Sequence, residues 1–239
     1  MRPTKILIIA TSHQQLGDTG RKTGLWLEEL AVPYYIFKEA GATHVLASPK
    51  GGSVPLDRKS ESIIVANTST RRFQKDPDAL AELAHSIPLH TLKAEDFDAV
   101  YLTGGHGALW DFPGNEPLRS LLEDFDRQHR FIGAICHGVS ALLSMKTTQG
   151  ETFVKGRQLT AACDSEERVL GLTDTLPFSL ESALIAAGAV YSKGPDFDSH
   201  ILMDGNVITG QNSSSSKDLA KMLLVSQKES LRRTGSSVY

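Results

Sequence analysis

Short apolar runs rich in β-branched residues alternate along the chain with longer segments of helical period. The runs cover residues 5–11, 44–48, 99–103, 130–135 and 207–209. The segments with apolar positions three and four residues apart cover 26–40, 78–85, 117–129, 138–145, 178–187 and 217–227. Continuously apolar strands are typical of a sheet buried on both faces. The alternation therefore predicts an α/β fold in which a mostly parallel sheet lies between two layers of helices.

Residues 50–76 interrupt this alternation with a polar stretch that has no clear period. Long irregular insertions in compact domains are often lids or binding loops, so we expect this one to lie over the active site. No stretch has the composition of a linker, and no internal repeat is visible. The sequence therefore predicts a single domain spanning residues 1–239.

Composition narrows the kind of ligand. The 239 residues are 40% hydrophobic, enough for one large core, and the net charge is −3. That charge provides no electrostatic reason to bind nucleic acid or an anionic membrane, so we expect a small molecule. No Cys/His cluster has zinc-ligand spacing, and no glycine-rich phosphate loop follows the first strand. We therefore expect neither a metal nor a nucleotide cofactor.

The N-terminus and the cysteines indicate the compartment. Only five or six apolar residues follow Lys5, too few for a signal-peptide core or a membrane span, so we expect a cytoplasmic protein. Cys136 and Cys163 are expected to be free thiols, because a reducing compartment disfavours disulfides. Cys163 lies inside an apolar run and is interpreted as a core residue.

An apolar strand, the tripeptide Cys136-His137-Gly138 and an apolar helix follow one another without a loop within residues 131–145. Such a sharp turn needs small neighbours, and Ala134 and Gly138 flank Cys136 two residues away on either side. Backbone N–H groups and the dipole at a helix start stabilise a thiolate, which is the reactive form of cysteine. We therefore predict that Cys136 is a nucleophile, with a buried structural cysteine as the alternative.

Glycines also follow the third apolar run, where residues 104–107 read Gly-Gly-His-Gly. Glycines at the carboxyl end of a strand let backbone N–H groups approach a ligand closely. We predict an oxyanion or substrate site here, formed by Gly104 and by the N–H groups of Gly105 and His137. A double glycine by itself more often marks a plain turn. His106 either contacts substrate or is a structural loop histidine, and the residues slightly favour the structural role.

Two adjacent acids, Glu28 and Glu29, interrupt an amphipathic helix. Neighbours on a helix diverge by about 100°, so one of them can approach the apolar face, and Glu29 lies beside it. Pro33 cannot donate to the carbonyl of residue 29, so we expect a bend that aims Glu29 at the site. Apolar surroundings raise the pKa of a carboxyl, which can then share a proton with a thiolate. The ordinary alternative, favoured by the residues alone, is a solvated acidic pair.

A second acidic group, residues 164–167, directly follows Cys163. A carboxylate from this group could hold His137 in the tautomer that a general base requires. It could equally be a charge cluster at a helix N-terminus, and the residues alone favour that second interpretation.

Five motifs occur in the order found in the ThiJ/PfpI superfamily, which the chain resembles over almost its whole length. They lie at residues 23–33, 47–57, 104–107, 134–138 and 204–212. The resemblance is greatest to the stress-chaperone branch, which includes glutathione-independent glyoxalases (glyoxalase III) and has the fold of class I glutamine amidotransferases. In one departure, residues 212–216 read Asn-Ser-Ser-Ser-Ser where that branch has an Asn-Pro helix start. Serine also caps helices well, so we expect little consequence.

The resemblance implies a flavodoxin-like three-layer sandwich with a cysteine nucleophile elbow. It implies that Cys136 is the nucleophile, that Glu29 is the buried acid against its sulfur and that His137 is the base. By position in the family pattern, Glu167 orients His137, with Asp164 as the reserve candidate. The resemblance also implies a homodimer that needs no cofactor, metal or glutathione.

The implied activity is that of a glyoxalase III-type lyase. Cys136 would add to a 2-oxoaldehyde such as methylglyoxal, and Glu29 or His137 would move a proton through an enediol before water releases D-lactate. One alternative is another cysteine hydrolase, such as an amidase, peptidase or deglycase, since a fold does not determine a substrate. A second is a holdase chaperone or redox sensor without turnover. Glutamine amidotransfer is disfavoured, because that class does not pair a Cys-His dipeptide with a helical Glu.

Overall fold

The structure, a computed structural model, describes residues 2–235 and their side chains up to residue 230. The strands in this range are β1 Lys5–Ile9, β2 Thr43–Ser48, β3 Ile87–Pro88, β4 Ala99–Leu102, β5 Phe131–Ile135, β6 Gln158–Leu159, β7 Val190–Tyr191, β8 Ile201–Asp204 and β9 Val207–Gly210. Seven of them form one sheet in the order β3-β2-β1-β4-β5-β9-β8, while β6 and β7 form a separate pair. All pairings in the main sheet are parallel except that of β8 with β9.

Helices cover both faces of the main sheet. They are α1 Glu28–Glu39, α2 Thr68–Phe73, α3 Pro77–Ala84, α4 Ala108–Asp111, α5 Glu116–Arg127, α6 Asp164–Leu170, α7 Leu180–Ala186 and α8 Ser216–Gly235. A 3-10 helix, Cys136–Ser144, follows β5 directly. Shorter 3-10 segments lie at Arg58–Glu61, Leu89–Thr91, Ala94–Asp96 and Ser213–Ser215.

Alternating residues of β1 connect the sheet to two separate apolar layers. Ile6 and Ile8 pack into a cluster that contains residues of α1 and α8. Leu7 and Ile9 pack into a second cluster, on the opposite face, that contains residues of α4, α5 and α7. Successive side chains of a strand point to opposite faces, so a continuously apolar strand requires two covered faces. The predicted three-layer α/β sandwich is confirmed.

The five predicted strands are confirmed, with ends shifted by at most two residues. The sequence missed β3, β6 and β7, each two residues long, and the edge strand β8, whose apolar run at 201–203 is short and whose side chains are partly exposed. The helix predicted at 138–145 is instead the 3-10 helix that begins at Cys136. The last predicted helix, 217–227, extends to Gly235 in α8.

Residues 50–76 are more ordered than their polar composition indicated. Asn67 forms a reciprocal capping box with Thr70 at the start of α2, and Phe73 of that helix packs edge-on against Tyr34. The Asn67 amide also donates to Glu28 at 2.8 Å. The segment is therefore anchored to the start of α1, and its role as a lid stays a prediction.

The single domain at 1–239 also stays a prediction, and Met1 and residues 236–239 lie outside the described part. Among residues 2–235, no helix combines the length and the apolarity that crossing a bilayer requires.

Candidate active site

The turn after β5 places Cys136 in a strained backbone conformation. Its φ is 54°, a left-handed value that non-glycine residues rarely adopt outside functional turns. Gly138 makes the turn possible, because a Cβ there would lie 2.5 Å from the Thr103 carbonyl oxygen. Ala134, on the strand side, is fully buried. The geometry is that of the sharp nucleophile turn expected from the sequence.

Glu29 enters the site from the first turn of α1. Its side chain is 1% exposed, and its Oε2 accepts a hydrogen bond of 2.7 Å from the Gly104 N–H. It also hydrogen-bonds with Cys136. A Cβ on Gly104 would lie 2.5 Å from Glu29 Oε2 and 2.8 Å from the Cys136 Cβ, so the approach requires glycine. The solvated acidic pair favoured by the residues alone does not occur.

His137 bridges Cys136 and Glu167. Its Nδ1 lies 3.2 Å from the Cys136 Sγ, and its Nε2 lies 2.7 Å from Glu167 Oε1. A carboxylate can accept hydrogen bonds but not donate them, so the proton resides on Nε2. The lone pair of Nδ1 therefore faces the sulfur, which is the arrangement of a general base beside its nucleophile.

His106 shares the same carboxylate. Its Nε2 donates to Glu167 Oε2 at 3.1 Å, and its ring centroid lies 4.3 Å from that of His137. The reserve candidate, Asp164, instead accepts a 2.6 Å hydrogen bond from Ser179. The structure thus brings Glu167, and not Asp164, to His137, and it adds a second histidine to the carboxylate.

Burial dominates the electrostatics of the Cys136–Glu29 pair. It raises the pKa of Glu29 to about 8, an effect that hydrogen bonds from Cys136 and Gly104 only partly offset. Burial and the carboxylates of Glu29, Glu166 and Glu167 also raise the pKa of the Cys136 thiol above its ordinary value. The sequence predicted a stabilised thiolate from the helix start alone, but the surrounding carboxyl groups oppose it. The resting pair therefore keeps its protons at neutral pH.

The histidine and its carboxylate shift in the opposite sense. Burial, then the charge of His106, lowers the pKa of His137, so its imidazole is neutral at pH 7. Burial by itself would raise the pKa of Glu167, but the two histidines outweigh it and hold that pKa well below its usual range. The site thus combines a thiol, a neutral base and a protonated carboxyl.

A small cavity of about 100 Å³ opens beside the sulfur. Its lining includes Cys136, Glu29, Gly105, His106 and Trp26. The cavity therefore has room beside the sulfur for the reacting end of a small ligand. Among residues 2–235, no acceptor engages the Gly105 N–H, which leaves it available to a ligand.

The DJ-1/PfpI family profile matches residues 23–226 of the chain. The chain belongs to this family. The DJ-1/PfpI protein described here is 29% identical to the glutathione-independent glyoxalase hsp3101 of Schizosaccharomyces pombe, over 96% of this chain and 98% of the relative. Among solved structures, it matches Rapid Encystment Protein 24 KDa of Francisella tularensis with a TM-score of 0.90 and 36% identity, over 94% of this chain and 99% of the other.

Glyoxalase III from Candida albicans matches with a TM-score of 0.85 at 24% identity, over 93% of this chain and 96% of the other. At that identity, the likeness concerns the fold. Together these comparisons confirm the ThiJ/PfpI resemblance and the flavodoxin-like architecture.

Glu166 also lines the cavity of this DJ-1/PfpI protein, although the sequence did not single it out. Its buried Oε1 accepts hydrogen bonds from the Gln211 amide at 2.6 Å, the Asn212 amide at 2.7 Å and the Phe197 N–H at 2.8 Å. The amides follow β9 directly, and polar side chains at the carboxyl end of a buried strand were the available signal. These bonds hold Glu166 at the wall of the cavity.

Two groups of side chains could in principle hold a metal ion within the described residues. His106, His137 and Glu167 place one ligand atom each within 4.8 Å of one another, as do Cys163, Glu166 and Asp196. His-His-carboxylate is a ligand set suited to zinc. The first group comes from three separate chain segments, and in the second Asp196 joins Cys163 and Glu166 from the start of α6, so neither shows a Cys/His ligand spacing in the sequence.

Proposed function

We propose that the protein is a glutathione-independent glyoxalase that converts methylglyoxal-type 2-oxoaldehydes to 2-hydroxy acids, giving D-lactate from methylglyoxal. The observation that carries the proposal is the placement of the Cys136 Sγ 3.2 Å from the His137 Nδ1, with the buried Glu29 carboxyl against the same sulfur. The relatives named as glutathione-independent glyoxalases support it. So does the cavity beside the sulfur, which has room for the aldehyde end of a substrate.

The first step forms a hemithioacetal. The neutral His137 takes the proton of the Cys136 thiol, so the raised thiol pKa is overcome at the moment of attack rather than before it. The sulfur adds to the aldehyde carbon, and Glu29 gives its proton to the aldehyde oxygen. Glu29 leaves this step as a carboxylate and His137 as an imidazolium, oriented by Glu167.

The second step moves hydrogen between the two substrate carbons. The Glu29 carboxylate removes the proton from the former aldehyde carbon while His137 protonates the ketone oxygen, which gives an enediol. Glu29 returns its proton to the neighbouring carbon, and His137 takes the proton from the first hydroxyl. The product is a thioester of a 2-hydroxy acid, so one carbon has been oxidised and its neighbour reduced without an external electron acceptor.

Hydrolysis completes the cycle. Water adds to the thioester carbonyl, with one of its protons passing to the Glu29 carboxylate. His137 returns a proton to the leaving Cys136 sulfur. The 2-hydroxy acid leaves, and the thiol, the neutral imidazole and the protonated carboxyl are restored.

The decisive test is incubation with methylglyoxal in a glutathione-free buffer, with identification of the lactate stereoisomer. We expect D-lactate from the wild-type protein and none above background from Cys136→Ser. Undiminished turnover by Cys136→Ser would refute the proposal.

A holdase activity is a second candidate, because Ile63 and Ile64 stand side by side on the surface at 88% and 94% exposure. Adjacent exposed apolar side chains can bind unfolded clients. If this is a function, Ile63→Ser/Ile64→Ser should suppress client aggregation less well, whereas Cys136→Ala should suppress it normally. Equal suppression by all three proteins would exclude these isoleucines from the activity.

We also propose that the protein is a cytoplasmic homodimer. The dimer is what the family resemblance implies, and the compartment is the sequence prediction. The free thiols of Cys136 and Cys163 support a reducing compartment. Sedimentation velocity should give a mass near twice 25.9 kDa. A monomer at micromolar concentration would contradict the assembly, and fractionation of cells tests the compartment.

A further inference from the structure

A second depression, of about 400 Å³, adjoins the cavity at Cys136. Four basic side chains line it: Arg21, Lys22, Arg58 and Lys59. We call it the basic depression. Its cations come from two separate chain segments, the loop after β1 and the segment 50–76, so it forms only in the folded protein.

The cations of the basic depression lack partners. Within residues 2–235, none of the four side chains forms an ion pair or a hydrogen bond. Asp57 is the one acid in the lining, and its carboxylate already accepts hydrogen bonds from the Thr23 hydroxyl and the Lys59 N–H. Unpaired cations gathered around a concavity attract anions, and this concentration occurs in a chain whose net charge is −3.

The basic depression and the cavity that contains the proposed nucleophile share part of their lining. Trp26, His106 and Leu170 line both. Since His106 also binds Glu167, one wall of the basic depression belongs to the hydrogen-bond network around His137. A ligand whose aldehyde reaches Cys136 can therefore extend past Trp26 towards the four cations.

We propose that the basic depression is an anion-binding subsite, which takes a carboxylate or phosphate group carried by the 2-oxoaldehyde. The preferred substrates are then anionic 2-oxoaldehydes rather than methylglyoxal itself. This inference rests on the proposed function for its catalytic readout. Exposed charge pairs each contribute modestly, so two or three of them together raise kcat/KM by roughly fivefold.

The test compares phenylglyoxal with 4-carboxyphenylglyoxal, which differ by one carboxylate at a distance from the reacting aldehyde. In the wild-type protein at low ionic strength, we expect a kcat/KM for the carboxylated substrate that is roughly five times higher. In Arg58→Gln/Lys59→Gln the ratio should fall below about two. High salt should reduce the wild-type ratio in the same direction, because it screens exposed charges.

The matched control is Lys75→Gln/Lys228→Gln, which removes two exposed positive charges that do not line the depression. It should keep the wild-type ratio. A wild-type ratio near one, or a ratio that Arg58→Gln/Lys59→Gln leaves unchanged, would overturn the subsite.

A binding measurement separates this inference from the proposed function. Calorimetry with the product analogues mandelate and 4-carboxymandelate needs no turnover. Tighter binding of the second by the wild-type protein, lost in Arg58→Gln/Lys59→Gln, would support the subsite even if neither aldehyde were consumed. Equal affinities would overturn it, whatever the activity assays show.

Discussion

The two cysteines of this chain have similar local settings and opposite surroundings. Each follows an apolar run and directly precedes or begins a helix, and each is a free thiol. Cys136 has a left-handed φ of 54° and lines a cavity. Cys163 has an extended φ of −110°, is fully buried, and its sulfur lies 3.2 Å from the Ser165 hydroxyl.

The difference shows that a helix start does not by itself make a cysteine a nucleophile. Burial raises the pKa of both thiols. What distinguishes Cys136 is a neutral imidazole at 3.2 Å, a protonated carboxyl against the sulfur, and open volume for a substrate. In the proposed mechanism, the reactivity of Cys136 depends on the adjacent His137 and on Glu29 from α1 rather than on a resting thiolate.

The largest expected effect comes from removing each sulfur in turn. Cys136→Ala should lower methylglyoxal turnover at least about a thousandfold, because covalent catalysis is lost. Cys163→Ala should keep activity within a fewfold of wild type, since the Cys163 sulfur contacts neither Cys136 nor Glu29. Initial rates measured without glutathione test this prediction. Comparable losses in the two variants would show that the two cysteines do not differ in their importance for turnover.

Glu29 is the next partner to test, because its raised pKa distinguishes it from the carboxyl beside Cys163. Asp196 lies 3.9 Å from the Cys163 sulfur, but its pKa is lowered and it holds no proton at neutral pH. Glu29→Gln keeps the shape but cannot exchange the proton, so we expect kcat to fall by about 10²–10⁴ with a smaller change in KM. The adjacent Glu28→Gln is the matched control and should stay within a fewfold of wild type. Equal losses in the two variants would indicate a general charge effect instead.

In the proposed mechanism Glu167 positions His137, so its removal should have a smaller effect. Glu167→Gln should lower kcat/KM by about 10- to 100-fold, because His137 loses the carboxylate that sets its tautomer. Glu167 also raises the pKa of His137, so the acidic limb of the pH–rate profile should move to lower pH in this variant. Asp164→Asn should change neither kcat/KM nor the acidic limb of the profile. A shifted limb in that variant would indicate that Asp164, and not Glu167 alone, orients His137.

The smallest effect concerns stability and pH. The pKa of Glu29 is about 8 when folded, against an ordinary 4.5, so the folded protein holds a proton that the unfolded chain releases. The protonated Glu29 therefore adds to the free energy of unfolding below pH 4.5, and this added stability is lost as the pH rises through about 8. Thermal unfolding between pH 5 and pH 9 should therefore show a shallower decline in Tm for Glu29→Gln than for wild type. Cys163→Ala should keep the wild-type slope.

Much of the fold was predictable because its strands are buried on both faces. β1, β2, β4, β5 and β9 each appear as a continuous apolar run, a pattern that few other structures produce. The strands β3, β6 and β7 are two residues long and too short to show this pattern. The edge strand β8 has an apolar run of only three residues, at 201–203, and its side chains are partly exposed. The 50–76 segment shows no periodic pattern in the sequence because its order comes from individual contacts. These include the Asp57 cap of the 3-10 helix Arg58–Glu61, the Asn67 cap of α2 and the buried ring of Phe73.

The candidate active site was likewise predictable from the sequence only in part. A sharp turn at Cys136 follows from the order strand, Cys-His-Gly, helix, and the requirement for small residues beside it is local and visible in the sequence. The residues alone favoured solvation for Glu29 and a helix cap for the 164–167 acids, and it was the family resemblance that pointed to Glu29 and Glu167. No local pattern indicated that Glu167 accepts hydrogen bonds from two histidines. None indicated that Glu166 accepts hydrogen bonds from two side-chain amides.

The sequence by itself determined the layered architecture and the sharp turn that carries the thiol, because both depend on patterns within a few neighbouring residues. The tertiary structure decided which groups surround the sulfur and therefore which of them hold protons. Such pKa shifts come from burial and from charges a few ångströms away, and those neighbours belong to α1, α6 and the loop after β4, far apart along the chain.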